Sequence, residues 1–184
     1  AVLDAMIEKE LKPLRMERAR FKTEIKQVTP NELGQDSVVF TISTNSGSKF
    51  GSLMKIASGG ELSRFLLALK VCLSSDQKGV SMVFDEIDRG VGGATADAVG
   101  RRLLKLAKKD AQVLVVTHSP QVAALAERHF VVSKVIEHEK TVSRVNRIKG
   151  KDCVEEIARM ISGDRITDEA RDASRALISR ASNP

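Results

Sequence analysis

The sequence has no tryptophan and no tyrosine, and only six phenylalanines in 184 residues. A nucleic-acid surface built on base stacking needs aromatic platforms, so any contact with a polynucleotide is expected to go to the phosphate backbone. There are two cysteines, Cys72 and Cys153. They have no metal-type spacing and make no disulfide framework, which fits a reducing cytoplasm. Cys72 falls on an apolar helical face and reads as core. No apolar run approaches the roughly 20 residues of a membrane helix, and no signal-peptide pattern opens the chain. Hydrophobic residues are 42% and charged residues 29%, with a formal net charge of +6. That is an ordinary globular balance with a mild basic excess, which permits phosphate contact without requiring it. The length suffices for one domain with a core. The chain begins with Ala1 rather than methionine and is expected to be a processed or excised piece.

What is present divides by periodicity. Residues 1 to about 19 read as a helix, the end of a longer helical arm, with Val2, Leu3, Met6, Leu11 and Leu14 apolar. Pro13 is expected to bend or break it. Phe21, Thr23 and Ile25, and then Val38, Phe40 and Ile42, alternate with more polar residues, as in an antiparallel strand pair. T-P-N-E-L-G-Q-D between them is turn material, and Asn45–Ser52 reads as a loop. Leu62, Phe65, Leu66, Leu69, Cys72 and Leu73 keep helical spacing. Val80–Phe84 and Val113–Val116 are short apolar runs, with a helix from about Gly93 to Lys109 between them. This alternation predicts parallel strands buried on both faces. Ser119-Pro120 reads as an N-cap and first helical position. Phe130–Ile136 and Thr141–Ile148 form a hairpin around E-H-E-K, and helices over roughly 151–162 and 167–180 close the chain.

Three stretches carry chemistry. V-S-M-V-F-D-E-I-D sets Asp85, Glu86 and Asp88 just past a buried strand. Binding crevices of open α/β sheets lie at such strand ends. One carboxylate there can hold Mg²⁺ and a second can deprotonate a water. The next strand ends at His118, which could donate to a phosphate oxygen. His129 and His138 read as ordinary satisfied residues. In I-A-S-G-G-E-L, Ser58 at N-cap and Glu61 three residues later make a capping box. Gly59 and Gly60 disfavour the helix, at about 1 kcal/mol each relative to alanine in a helix interior. They leave free N–H groups at the positive helix end, which suits a phosphate.

In this order the motifs resemble the C-terminal half of an ABC-type ATPase head of the SMC kind. S-G-G-E is similar to the signature motif, V-S-M-V-F-D-E-I-D to the Walker B strand and V-T-H-S to the switch-histidine strand. The longer strings K-I-A-S-G-G-E-L-S-R-F-L-L-A-L-K and D-E-I-D-R-G-V-G-G resemble the SMC-like family of bacterial DNA double-strand break repair. The resemblance implies an α/β lobe, mainly parallel sheet flanked by helices, over residues 20–184, with an antiparallel pair near the N-terminus and an arm end at 1–19. It implies ATP and Mg²⁺ as cofactors. Asp85 would bind the metal, Glu86 would polarise the attacking water and His118 would contact the γ-phosphate. Ser58, Gly59 and Gly60, with Glu61 completing the motif, would bind the γ-phosphate of ATP held by a second head, and Asp88 would belong to the D-loop. The implied partners are the N-terminal half of the same head, a second head in a homodimer, and DNA through its phosphates.

The sequence contains no G-x-x-x-x-G-K-[ST], and its one G-K pair, Gly150-Lys151, is followed by Asp152. The chain is therefore expected to be inactive alone. Two other readings compete. D-E-I-D also fits the box of helicase-type motors, though these keep a phosphate loop upstream and leave S-G-G-E unexplained. The basic balance and arm-like start also suit a non-catalytic DNA-binding or arm-docking module.

Overall fold

The computed structural model describes residues 2–32, 34–53, 59–73, 79–85, 87–88, 91–108, 111–137 and 140–182. It divides into two units, residues 1–116 and 117–184.

In the first unit, helix α1 (Val2–Leu11) buries Ile7 and Leu11. It stops well short of residue 19. A 3-10 turn, Lys12–Leu14, follows with Pro13 in it, and Arg15 takes a left-handed φ of 59°. Proline has no N–H to donate back along the helix, so α geometry ends there. Strand β1 (Arg20–Asn31) pairs antiparallel with β2 (Gly34–Ser43), setting Phe21 opposite Ile42, both buried. The strands run into the segment whose composition reads as turn. Pro30 is tolerated because it lies in the register break between Gln27 and Asn31. A short strand β3 (Gly51–Ser52) joins β2 and takes the end of the expected loop.

Side chains of α1 hold it on β1. Thr23 donates to Asp4 Oδ1 from its backbone N (3.1 Å) and from Oγ1 (2.7 Å), and Phe21 N donates to Glu8 Oε1 (3.3 Å). Helix α2 (Gly59–Leu73) buries Phe65, Leu67, Ala68 and Cys72. Burial pushes the Cys72 thiol pKa up, and nearby Glu10 adds to the effect. Helix α3 (Gly93–Ala107) is tied to α1 by a largely buried ion pair between Arg102 and Glu10.

Strands β4 (Ser81–Asp85) and β5 (Gln112–Val116) are parallel, in register from Ser81↔Gln112 to Asp85↔Val116. Parallel pairing is confined to these two among the described residues. They are not buried on both faces. Phe84 points inward, whereas Val83, Leu114 and Val116 are 61%, 48% and 55% exposed. No described layer of the unit covers that face.

In the second unit, α4 (Pro120–Ala123) leads to the antiparallel hairpin β6 (His129–Glu137) and β7 (Lys140–Ile148). Helices α5 (Lys151–Ser162) and α6 (Asp168–Ser182) close the chain. Ser174 Oγ donates to the Val154 carbonyl (2.9 Å) and Arg171 Nε to Glu155 (2.8 Å), fixing the two helices against each other. No helix among the described residues is long and apolar enough to cross a membrane.

Candidate functional site

Strand β4 delivers Asp85 to its carboxyl end, exposed, on the open face that carries Val83, Leu114 and Val116. Glu86 lies outside the described residues. Ile87 and Asp88 turn back inward, and Val91 N donates to the Asp88 carbonyl (3.1 Å). Asp88 is fully buried, so a contact of its carboxylate with nucleotide requires that turn to open. Among the described residues no three His, Cys, Asp or Glu side chains gather as a metal cage. An exposed strand-end carboxylate still fits Mg²⁺, which keeps several waters and takes one or two protein carboxylates beside phosphates.

Gly59, Gly60 and Glu61 form the first turn of α2, as the spacing predicts. Ser58 lies outside the described residues, so its capping bond does too. A Cβ added at Gly59 would meet nothing within 4 Å, and its φ is not left-handed. Neither space nor backbone geometry within the lobe asks for glycine there.

Sequence reading passed over two residues of the same helix. Arg64, one turn beyond Glu61, has a buried Nε with no hydrogen bond among the described residues. Burial lowers its pKa, and Glu61 opposes that shift. Its signal was an i,i+3 spacing from Glu61. In the last turn, Lys70 Nζ stands 4.6 Å from the centroid of the Phe84 ring. This cation–π contact joins α2 to the residue just before Asp85, and no local pattern announces it. Gly59 lies eleven residues up the helix from Lys70, about 16 Å along its axis. The glycine start of α2 and its contact with Phe84 thus lie at opposite ends of the helix.

His118 belongs to the second unit and is exposed. Beside it, Ser119 N donates to Thr117 Oγ1 (2.9 Å). Ser119 has the extended backbone of an N-cap before Pro120, as predicted, but its hydroxyl bonds Gln121 Oε1 (2.9 Å) instead of the helix backbone. His129 Nε2 lies 2.9 Å from the Ala123 carbonyl, the satisfied role expected of it. His138 lies outside the described residues.

No protein-family model matches the sequence. The DNA repair protein RecN of Rickettsia prowazekii (strain Madrid E) is 46% identical over 177 residues, covering 96% of this chain and 32% of that protein. RecN of Bacillus subtilis (strain 168) is 40% identical over 191 residues, 95% of this chain and 33% of that protein. The chain spans about a third of the length of these relatives. Among solved structures, an Smc head domain with a coiled coil and joint derived from Pyrococcus yayanosii superposes with a TM-score of 0.66 at 17% identity, over 87% of this chain and 29% of that one. A chain from work on ATP-driven dimerization and DNA-stimulated activation of SMC ATPases gives 0.59 at 17% identity, over 89% and 92%. Along nearly all its length, therefore, the chain is homologous to a C-terminal portion of the DNA repair protein RecN, and it has the fold of an SMC ATPase head.

Proposed function

We propose that the chain is the C-terminal part of an SMC-like ATPase that acts in cytoplasmic DNA double-strand break repair, and that it contributes residues to two nucleotide sites rather than one. The observation that carries this is the separation along α2. The helix contacts Phe84, the residue before Asp85, at Lys70, and its glycine start lies about 16 Å further along its own axis. A single γ-phosphate cannot meet both ends. Asp85, Glu86 and His118 would serve the ATP of their own head. Ser58, Gly59 and Gly60, with Glu61 holding the first turn, would serve the ATP of a paired second head, and Asp88 would belong to the D-loop. Bound Mg²⁺ would neutralise phosphate charge beside Asp85. The open face with Val83, Leu114 and Val116 would receive the N-terminal half of the head, which brings the phosphate loop. A helicase-type reading leaves the glycine start of α2 without a use.

The test is reassembly. The purified chain is expected to show no ATP turnover alone, and adding the N-terminal half should produce Mg²⁺-dependent phosphate release. Turnover by the lone chain at the reassembled rate would overturn the proposal.

Gly59→Ala separates this role from stability. With no neighbour within 4 Å of the added Cβ, thermal unfolding should be unchanged or raised, by up to about 1 kcal/mol of helix propensity. Phosphate release by the reassembled head should fall at least tenfold, a loss of about 1.4 kcal/mol or more.

A further inference from the structure

The β6–β7 hairpin concentrates the basic excess of the chain. Residues 128–151 hold seven Lys or Arg against two Glu, a net +5 where the whole chain carries +6. The strands have nine residues each and pair without a break from His129↔Ile148 to Glu137↔Lys140. They form a two-stranded ribbon roughly 30 Å long. Its cations lie on both faces. Lys134 and Arg147 share one face by register, and Arg144 lies on the other. All three are exposed.

Five of the cations of this stretch are also uncompensated among the described residues. In α5 and α6, Arg159, Arg171 and Arg175 are each held by a carboxylate at 2.5–2.8 Å. Among the described residues, Arg128, Lys134, Arg147, Lys149 and Lys151 have no ion pair. Clustered unpaired charge of one sign repels itself, and a polyanion relieves that repulsion. The major groove of B-DNA, about 12 Å wide, admits a two-stranded β-ribbon between its phosphate walls. Phe130 is the one aromatic side chain of the two strands, too few for a stacking platform, which leaves the backbone as the target.

We propose that the β6–β7 ribbon is the surface by which this lobe grips duplex DNA, through phosphates and without base reading. The choice of polymer rests on the DNA-repair function proposed above. Phe130, Val132 and Val145 are also exposed on the face of Lys134 and Arg147, so docking of a protein is the competing outcome.

The test is a fluorescence-anisotropy titration of the 184-residue chain with a labelled duplex, between about 50 and 200 mM salt. Log affinity should fall linearly with log salt. The triple variant Lys134→Gln, Arg147→Gln, Lys149→Gln should flatten that slope by about 2–3, since each lost phosphate contact removes about 0.9. It should weaken binding at least tenfold, with an unchanged melting temperature. Neutralising Arg18, Lys105 and Lys108 instead should leave the slope almost as it was. The proposal is overturned by no binding at low salt, by equal effects of the two triple variants, or by binding that ignores salt and is lost on Val132→Ser with Val145→Ser. DNA-independent ATP turnover by the reassembled head should be the same in the ribbon variant, so the nucleotide role and the DNA contact stand or fall separately.

Discussion

Glu86→Gln in the reassembled head is expected to cut ATP turnover by two to four orders of magnitude while nucleotide still binds. A positioned general base contributes about 10²–10⁴ in rate. The carboxamide keeps the shape and one acceptor oxygen of the carboxylate but cannot take a proton from water. On the proposed function, binding would rest on Asp85, the phosphate loop and the paired head, and the substitution alters none of these groups. ATP-bound paired heads should therefore accumulate, visible as a dimer by size exclusion with ATP and as a monomer without it. Asp85→Asn is the companion variant and should weaken Mg²⁺-dependent binding itself. Turnover by Glu86→Gln within a few-fold of the parent would remove Glu86 from the base role.

Phe65→Ala is expected to cost about 3–5 kcal/mol of stability, the range for deleting a buried phenylalanine side chain. That is a large share of the roughly 5–15 kcal/mol that holds a domain folded. Phe65 is fully buried. Its ring lies 5.2 Å from that of Phe21, which in turn lies 5.6 Å from Phe40. The three rings join α2 to both strands of the β1–β2 hairpin. Removing Phe65, the end of this chain on α2, leaves a cavity beside Phe21, and β1 cannot collapse into it without breaking its register with β2. Urea unfolding should show the loss as a lowered midpoint. Phe65→Leu should cost clearly less, because more of the volume remains. A loss below about 1 kcal/mol for the alanine variant would mean that the site collapses freely.

Much of the fold could be read from the sequence because local rules and tertiary packing agree over long stretches. Phe65, Ala68 and Cys72 keep one helical face, and Val131 and Val132 fall on alternate faces of a hairpin strand, as their periods require. Failures arose where the deciding partner lies far along the chain. Pro30 looks like a turn residue, but pairing of Asn31 with Gly34 carries the strands past it. The β4–β5 pair looks doubly buried because its residues are nearly all apolar. Alternate positions are nevertheless exposed, and composition cannot show which layer is missing. At the site, Gly59–Glu61 and Asp85 follow from local spacing. The contact of Lys70 with Phe84 and the bare Nε of Arg64 depend on distant neighbours and leave only a faint mark in the sequence.

The side chains that fasten α1 give it a preferred direction of strength. Asp4, Glu8 and Glu10 grip Thr23, Phe21 and Arg102 at successive points along one short helix. A lengthwise pull at Val2 would load all three together, so they would resist as one. A sideways pull would concentrate on Asp4, then pass to Glu8 and last to Glu10, and each would give way with only its own strength. The helix is thus a strut that bears tension along its axis and peels when levered across it, with the final hold placed on α3.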